Sequence, residues 1–292
     1  MKKLLLVPFA CLLMSGAALA ESDADRRWEA LAERYLDEMP AFSPVGATSM
    51  GDHRFDGELD EISPEARGRW VAFLKRLQRD LAKIDRAELA RAHQVDYSLL
   101  AHSIESSLWS TEELQTWAWN PVRYSGTAGG AIYSLMAREF APLPDRLSNV
   151  ANRLEKLPRY LKQVRATLVP ARVPKIHAET AARQNRGVLS ILDNMVKPSI
   201  DVLSDGERKR LVAAMETAAP AVEEHQTWLE EELVPQAEGE FRVGEEIYEK
   251  RLAFSLHTPL TREQLRNRSE AEFERVRLEM YDVATVIYKE QY

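Results

Sequence analysis

The chain has 292 residues, 45% of them hydrophobic, and carries 46 acidic against 39 basic side chains for a net charge of −7 at neutral pH. That acidic balance excludes nucleic acid and anionic membrane surfaces as main partners, since both select a cationic face. Its one cysteine, Cys11, excludes an intrachain disulfide framework, so stability has to come from a packed core.

At the N-terminus, Lys2 and Lys3 precede an apolar stretch from Leu4 to Met14 and a small-x-small site, Ala18-Leu19-Ala20, before Glu21. This is the layout of a cleaved secretory signal. Its strong apolar core is shorter than the roughly 20 residues of a spanning helix, and Cys11, with Pro8-Phe9-Ala10 before it, suits lipid acylation poorly. The expectation is a signal over 1–20, then one exported, periplasmic domain over 21–292 that leaves the membrane on cleavage.

The elements that follow have helical period. Trp28, Leu31, Tyr35 and Leu36 share a side of a helix over 24–38 that Pro40 ends. A loop is expected from Phe42 to Gly57, rich in turn formers. Ser63-Pro64 is a cap with proline at the first helical position, and Trp70, Leu74, Leu77, Leu81 and Ile84 form the stripe behind it. From Asp85 the next helix passes Leu89, Val95, Leu100, Ile104 and Leu108. Residues 117–130, with Asn120-Pro121 and three glycines, read as the least helical part.

Beyond Pro142 and Pro144, Leu147, Val150, Leu154, Leu157, Leu161, Val164 and Leu168 repeat like a heptad, with a kink expected at Pro158. Further helices are expected over 174–196, 206–233 and 244–256, and a last one from Thr261. That one carries Phe273, Val276, Met280, Val283 and Ile287 at three-four spacing and reaches Tyr292 without a glycine cap. The expectation is a chain that stops within a helix whose apolar face needs a partner. No segment alternates with period two. The fold class is therefore all-α, an elongated domain of long, paired antiparallel helices.

Local metal chemistry is missing from the text. A helical zinc site needs two histidines at i and i+4 around a glutamate, but after His177 position 181 is Ala181, and Glu179 stands one residue late. His93 and His102, nine residues apart, fall on opposite sides of a helix and cannot share an ion. His225, beside Glu223 and Glu224, reads as part of a solvated face, as do Glu230, Glu231 and Glu232. Trp109, Trp117, Trp119 and Tyr124 are either a ligand-binding cluster or core anchors. The loop Gly51-Asp52-His53-Arg54-Phe55-Asp56 is the best local polar site, and its alternative is a hydrogen-bonded cap that docks the first helix.

Three blocks carry a resemblance: FSPVGATSMGDHRFDGELDEISPEA at 42–66, LPDRLSNVANRLEKLPRYLKQVRATL at 143–168, and FRVGEEIYEKRLAFSLHTPLTREQL with RVRLEM within 241–280. Together they resemble the N-terminal half of the bacterial family of unknown function DUF885, whose members look like helical zinc metallopeptidases of the gluzincin type. One departure is Asn267-Arg268, where the family commonly has Leu-Gly. In that family a His-Glu pair followed by Pro-Gly-His, and a later Glu-Gly-Trp-Ala segment, carry catalysis, and both lie beyond this block. The resemblance thus implies no catalytic residue, metal ligand or cofactor in this chain, with zinc expected in the full-length family. It implies one wall of a peptide-substrate channel, for which the candidates are Asp52, His53, Arg54, Asp56, Trp119, Asn120 and Tyr124. The implied partner is the missing catalytic half. The competing expectation is a self-sufficient exported binding or adaptor protein.

Overall fold

A computed structural model describes residues 22–291, so the signal expected over 1–20 lies outside the described residues. Helix α1 (Asp23–Glu38) starts where the Ser22 hydroxyl accepts from the Asp25 amide at 2.9 Å. Helix α2 (Pro44–Met50) stands inside the stretch expected to be a loop, and Gly51 closes it in the left-handed region at φ 93°. Helix α3 (Pro64–Leu81) begins as expected, with the Ser63 hydroxyl accepting from the Ala66 amide at 3.1 Å. Asp85 caps only a short 3₁₀ turn, Arg86–Glu88, and α4 (Arg91–Trp109) starts six residues after it. Val95, expected in the stripe, is exposed.

Helices α1, α3 and α4 run up, down and up. Arg34 reaches Asp80 and Arg76 reaches Glu38, so α1 and α3 are antiparallel, and Tyr97 with Leu81 and Lys75 with Glu112 set α4 against α3 in the same way. Trp28, Leu31, Phe73, Leu77, Leu100 and Ile104 fill the space between them. Each fully buried aliphatic or aromatic side chain contributes about 1.5–3 kcal/mol.

A second core follows. A π-turn, Ser110–Leu114, and the short α5 (Thr116–Trp119) lead into α6 (Val122–Met136). This corrects the reading of 117–130 as the least helical part of the chain. Pro121 sits just before the first turn, where its missing N–H costs nothing, and burial of Ala128, Ala131, Ile132 and Leu135 outweighs the poor helix propensity of Gly126, Gly129 and Gly130. Helix α7 (Leu143–Thr167) continues unbroken through Pro158 and buries the whole heptad-like stripe from Leu147 to Val164.

The chain returns through α8 (Lys175–Asn185) and α9 (Gly187–Ile191) before α10 (Asp205–Trp228), which Ser204 and Glu207 open with a reciprocal capping box. Helices α6 and α7 are antiparallel, since Arg146 bonds the Leu135 carbonyl and Tyr160 that of Tyr124. Helices α7 and α10 run parallel: Arg210 meets Glu155 and Glu224 meets Arg165. The return through α8 and α9 makes this possible. His225, expected in solvent, is only 3% exposed and stacks on Trp228. Burial, reinforced by the nearby positive charge of Arg165, holds its imidazole well below the ordinary value, at about 4.

A short turn of helix, α11 (Val234–Gln236), ends this core. Helix α12 (Glu245–Leu256) lies on α4 through Phe254, whose carbonyl meets His102 Nε2 at 2.8 Å, and through the pair Lys250–Glu113. Helix α13 (Arg262–Gln291) buries none of its 30 residues. Among the described residues there is no strand beyond an isolated bridge between Pro174 and Gly239, and no helix is long and apolar enough to cross a membrane. The architecture is all-α.

Candidate functional site

A cleft of about 790 Å³ opens where the two cores meet. Its size lies within the range of small-molecule and peptide sites. The first core supplies Ala66, Arg67 and Trp70 at the start of α3, and the second supplies Arg123 and Tyr124 from α6 and Arg159 from α7. The segment from Phe55 to Ile62 runs between them as a floor.

That floor is pinned from beneath by Arg153, which is completely buried. Its guanidinium donates to the carbonyls of Glu58 (2.9 Å) and Ala131 (2.7 Å) and to the Thr48 hydroxyl (2.7 Å). Thr48 in turn donates to the buried carboxylate of Asp56 at 2.6 Å. Desolvation lowers the guanidinium to about 10, and the charges of Asp56 and Asp60 oppose that fall. One cation thus ties α2, α6, α7 and the floor together.

The aromatic wall is equally constrained. Phe42 packs on Trp70 at 5.2 Å and on Phe73 at 4.9 Å between ring centroids. Trp117 donates its indole N–H to the Thr111 carbonyl at 2.9 Å, and the Arg67 guanidinium lies over its ring at 4.0 Å. Arg67 also donates to the Ile62 carbonyl at 3.0 Å, and its partial burial pushes the guanidinium below its ordinary value. Asp60 accepts from the Val45 amide (3.0 Å) and the Ser43 hydroxyl (3.2 Å), while desolvation pushes its carboxyl up.

Of the seven residues singled out in the sequence, Tyr124 lines the cleft, its hydroxyl donating to the Trp117 carbonyl at 2.7 Å. Asp52 and Arg54 bind each other, and Arg54 reaches the Leu36 carbonyl and Asp37, which docks the loop on the end of α1. His53 stacks on Phe140 at 3.7 Å and bonds Asp56 at 3.0 Å. Trp119 donates to the Leu114 carbonyl and stacks on His177, and the buried Asn120 Oδ1 has no hydrogen-bond partner. The structure therefore brings Asp52, His53, Arg54 and Asp56 together beside the cleft floor, and Trp119, Asn120 and Tyr124 near the start of α6. Arg67, Arg123, Arg159, Asp60 and Trp70 are the cleft residues that sequence reasoning missed. No local motif marks them, because they come from four separate segments. Among the described residues, no three His, Cys, Asp or Glu side chains converge as a metal site.

The fold has a solved counterpart. A structure described as "a putative lipoprotein of unknown function" from Shewanella oneidensis superposes with a TM-score of 0.78 at 27% identity, covering 91% of this chain and 49% of that one. The chain thus spans about half the length of that relative. No curated protein matches. Residues 44–291, which contain most of the cleft lining, both cores after α1 and the long α13, match the family described as bacterial protein of unknown function, DUF885, and the chain belongs to that family.

Proposed function

We propose that this chain is the exported helical half of a zinc-dependent, peptidase-like protein, in which the cleft forms part of the substrate path and α13 receives the metal-bearing half. The observation that carries this reading is α13 itself. It shows Phe273, Met280 and Val283 to solvent at 65%, 68% and 59%, an apolar face of the kind that marks an interaction surface. Two findings support it: the chain covers 49% of its solved relative, and its sequence blocks resemble the N-terminal half of metallopeptidase-like proteins. Export is supported by the signal-like text of residues 1–20 and by the description of the relative as a lipoprotein.

The test is co-expression with the remaining half of a full-length family member. A stoichiometric complex should form in which the amides of 262–291 become protected from hydrogen exchange, and zinc should be retained by the complex and not by this chain alone. Unchanged exchange along α13, or one-to-one zinc with peptide cleavage by the isolated chain, would sink the reading. A second reading, a self-sufficient exported binding protein, is favoured by the cleft, because residues within 39–159 build it without help. It predicts a monodisperse chain that melts in one transition.

A further inference from the structure

The cleft holds more guanidinium than its carboxylates occupy. Glu61 is taken by Arg69 and Ser63, and Glu58 by Lys156. Asp60 is held by the Val45 amide and the Ser43 hydroxyl. Among the described residues, Arg67, Arg123 and Arg159 form no ion pair within 4 Å, and Arg123 and Arg159 act on Asp60 and Glu61 only through longer-range charge, although all three border one cavity in a chain whose net charge is −7. Arg123 is steadied by the Thr116 hydroxyl at 3.0 Å, and Arg67 by the Trp117 ring and the Ile62 carbonyl. Apolar surface from Phe42, Phe55 and Trp70 lies beside them. Cations placed next to aromatic surface at a partly desolvated mouth suit an anion attached to an apolar group.

We propose that the cleft binds a monocarboxylate carried on an aromatic or branched apolar group, with the carboxylate held by Arg123 and Arg159 and the apolar part against Trp70 and Phe55. A carboxylate is favoured over a phosphate because Asp60 and Glu61 share the wall and raise the cost of a second negative charge. The biological role of this subsite rests on the cleft being part of the substrate path; its chemistry does not. Two sources present such a group, the C-terminal end of a peptide and a free aryl acid.

Tryptophan fluorescence and calorimetric titrations of the purified chain test this, using N-acetyl-leucyl-phenylalanine, its C-terminal amide, 3-phenylpropionate and phenyl phosphate. The peptide acid should bind one-to-one and at least about tenfold more tightly than the amide, because a charge-assisted contact is lost when the carboxylate is blocked. Arg123→Gln and Arg159→Gln should each weaken the acid by about fivefold or more while leaving the amide and the melting midpoint unchanged, since both side chains are exposed and neither holds a carboxylate within 4 Å. Tighter binding of the peptide acid than of 3-phenylpropionate assigns the source to a chain end, the reverse order assigns it to free aryl acids, and either supports the subsite. Equal affinity for acid and amide, tighter binding of phenyl phosphate, or no saturable binding at millimolar acid overturns it. These titrations need neither zinc nor the second half, so their failure leaves the assembly at α13 standing, and failure of the assembly leaves the subsite standing.

Discussion

In α7, Leu147, Val150, Leu154, Leu157, Leu161 and Val164 recur at three-four spacing and every one is buried; in α13, Phe273, Val276, Met280, Val283 and Ile287 recur at the same spacing and every one is exposed. The difference lies in the neighbours. Helix α7 sits between α6 and α10, whereas α13 is supported largely from within, by pairs such as Arg275 with Glu272 and Glu279 at i−3 and i+4. An apolar stripe therefore specifies which face of a helix needs cover. It does not say whether that cover comes from the same core.

The contrast has measurable consequences. Arg153→Ala should lower the unfolding free energy by about 3–5 kcal/mol, because Asp56 and several carbonyls lose a buried cation. Arg275→Ala in α13 should leave the urea midpoint where it was. If the two variants melt alike, the pin beneath the cleft is not structural. Close behind, Leu154→Ala should cost about 2–5 kcal/mol in the same urea titration. Met280→Ala should cost nothing resolvable in the chain alone, and should weaken the complex proposed for α13; a destabilised isolated chain would mean that α13 already has a home.

A pH titration probes the buried side further. His225 is held at about 4 in the folded chain against 6.5 in the unfolded one, so its contribution is fully present above pH 6.5 and is lost as pH falls towards 4. That loss amounts to at most about 3 kcal/mol. Stability measured from pH 7 to 4 should fall less steeply in His225→Phe, and parallel curves would show that the imidazole is not the sensor. The smallest effect belongs to α12. Phe254→Ala removes its contact with Trp109 and His102, and should speed amide exchange over 245–256 without moving the global midpoint.

Legibility followed the range of each interaction. Ser63-Pro64 announced α3 because a cap acts within one turn. Helix α6 was misread because Pro121 and three glycines are local loop signals, while the burial that overrides them comes from α7, α8 and α9. His225 was placed in solvent by its acidic neighbours, Glu223 and Glu224; they do face outward, but the imidazole lies one position round the helix. Tyr124 was legible in the candidate site as part of an aromatic cluster. Arg67, Arg123 and Arg159 carry no mutual spacing to detect.

Periodicity and caps, which depend on residues three or four apart, were enough to establish an all-α chain and most of its helix starts. Where those helices go was settled by contacts across about a hundred residues, such as Arg153 with Thr48 and Pro44. The cleft belongs to this second kind of information. Its charges face one another only because two separately packed cores meet along the segment from Phe55 to Ile62, and no short stretch of chain encodes that meeting.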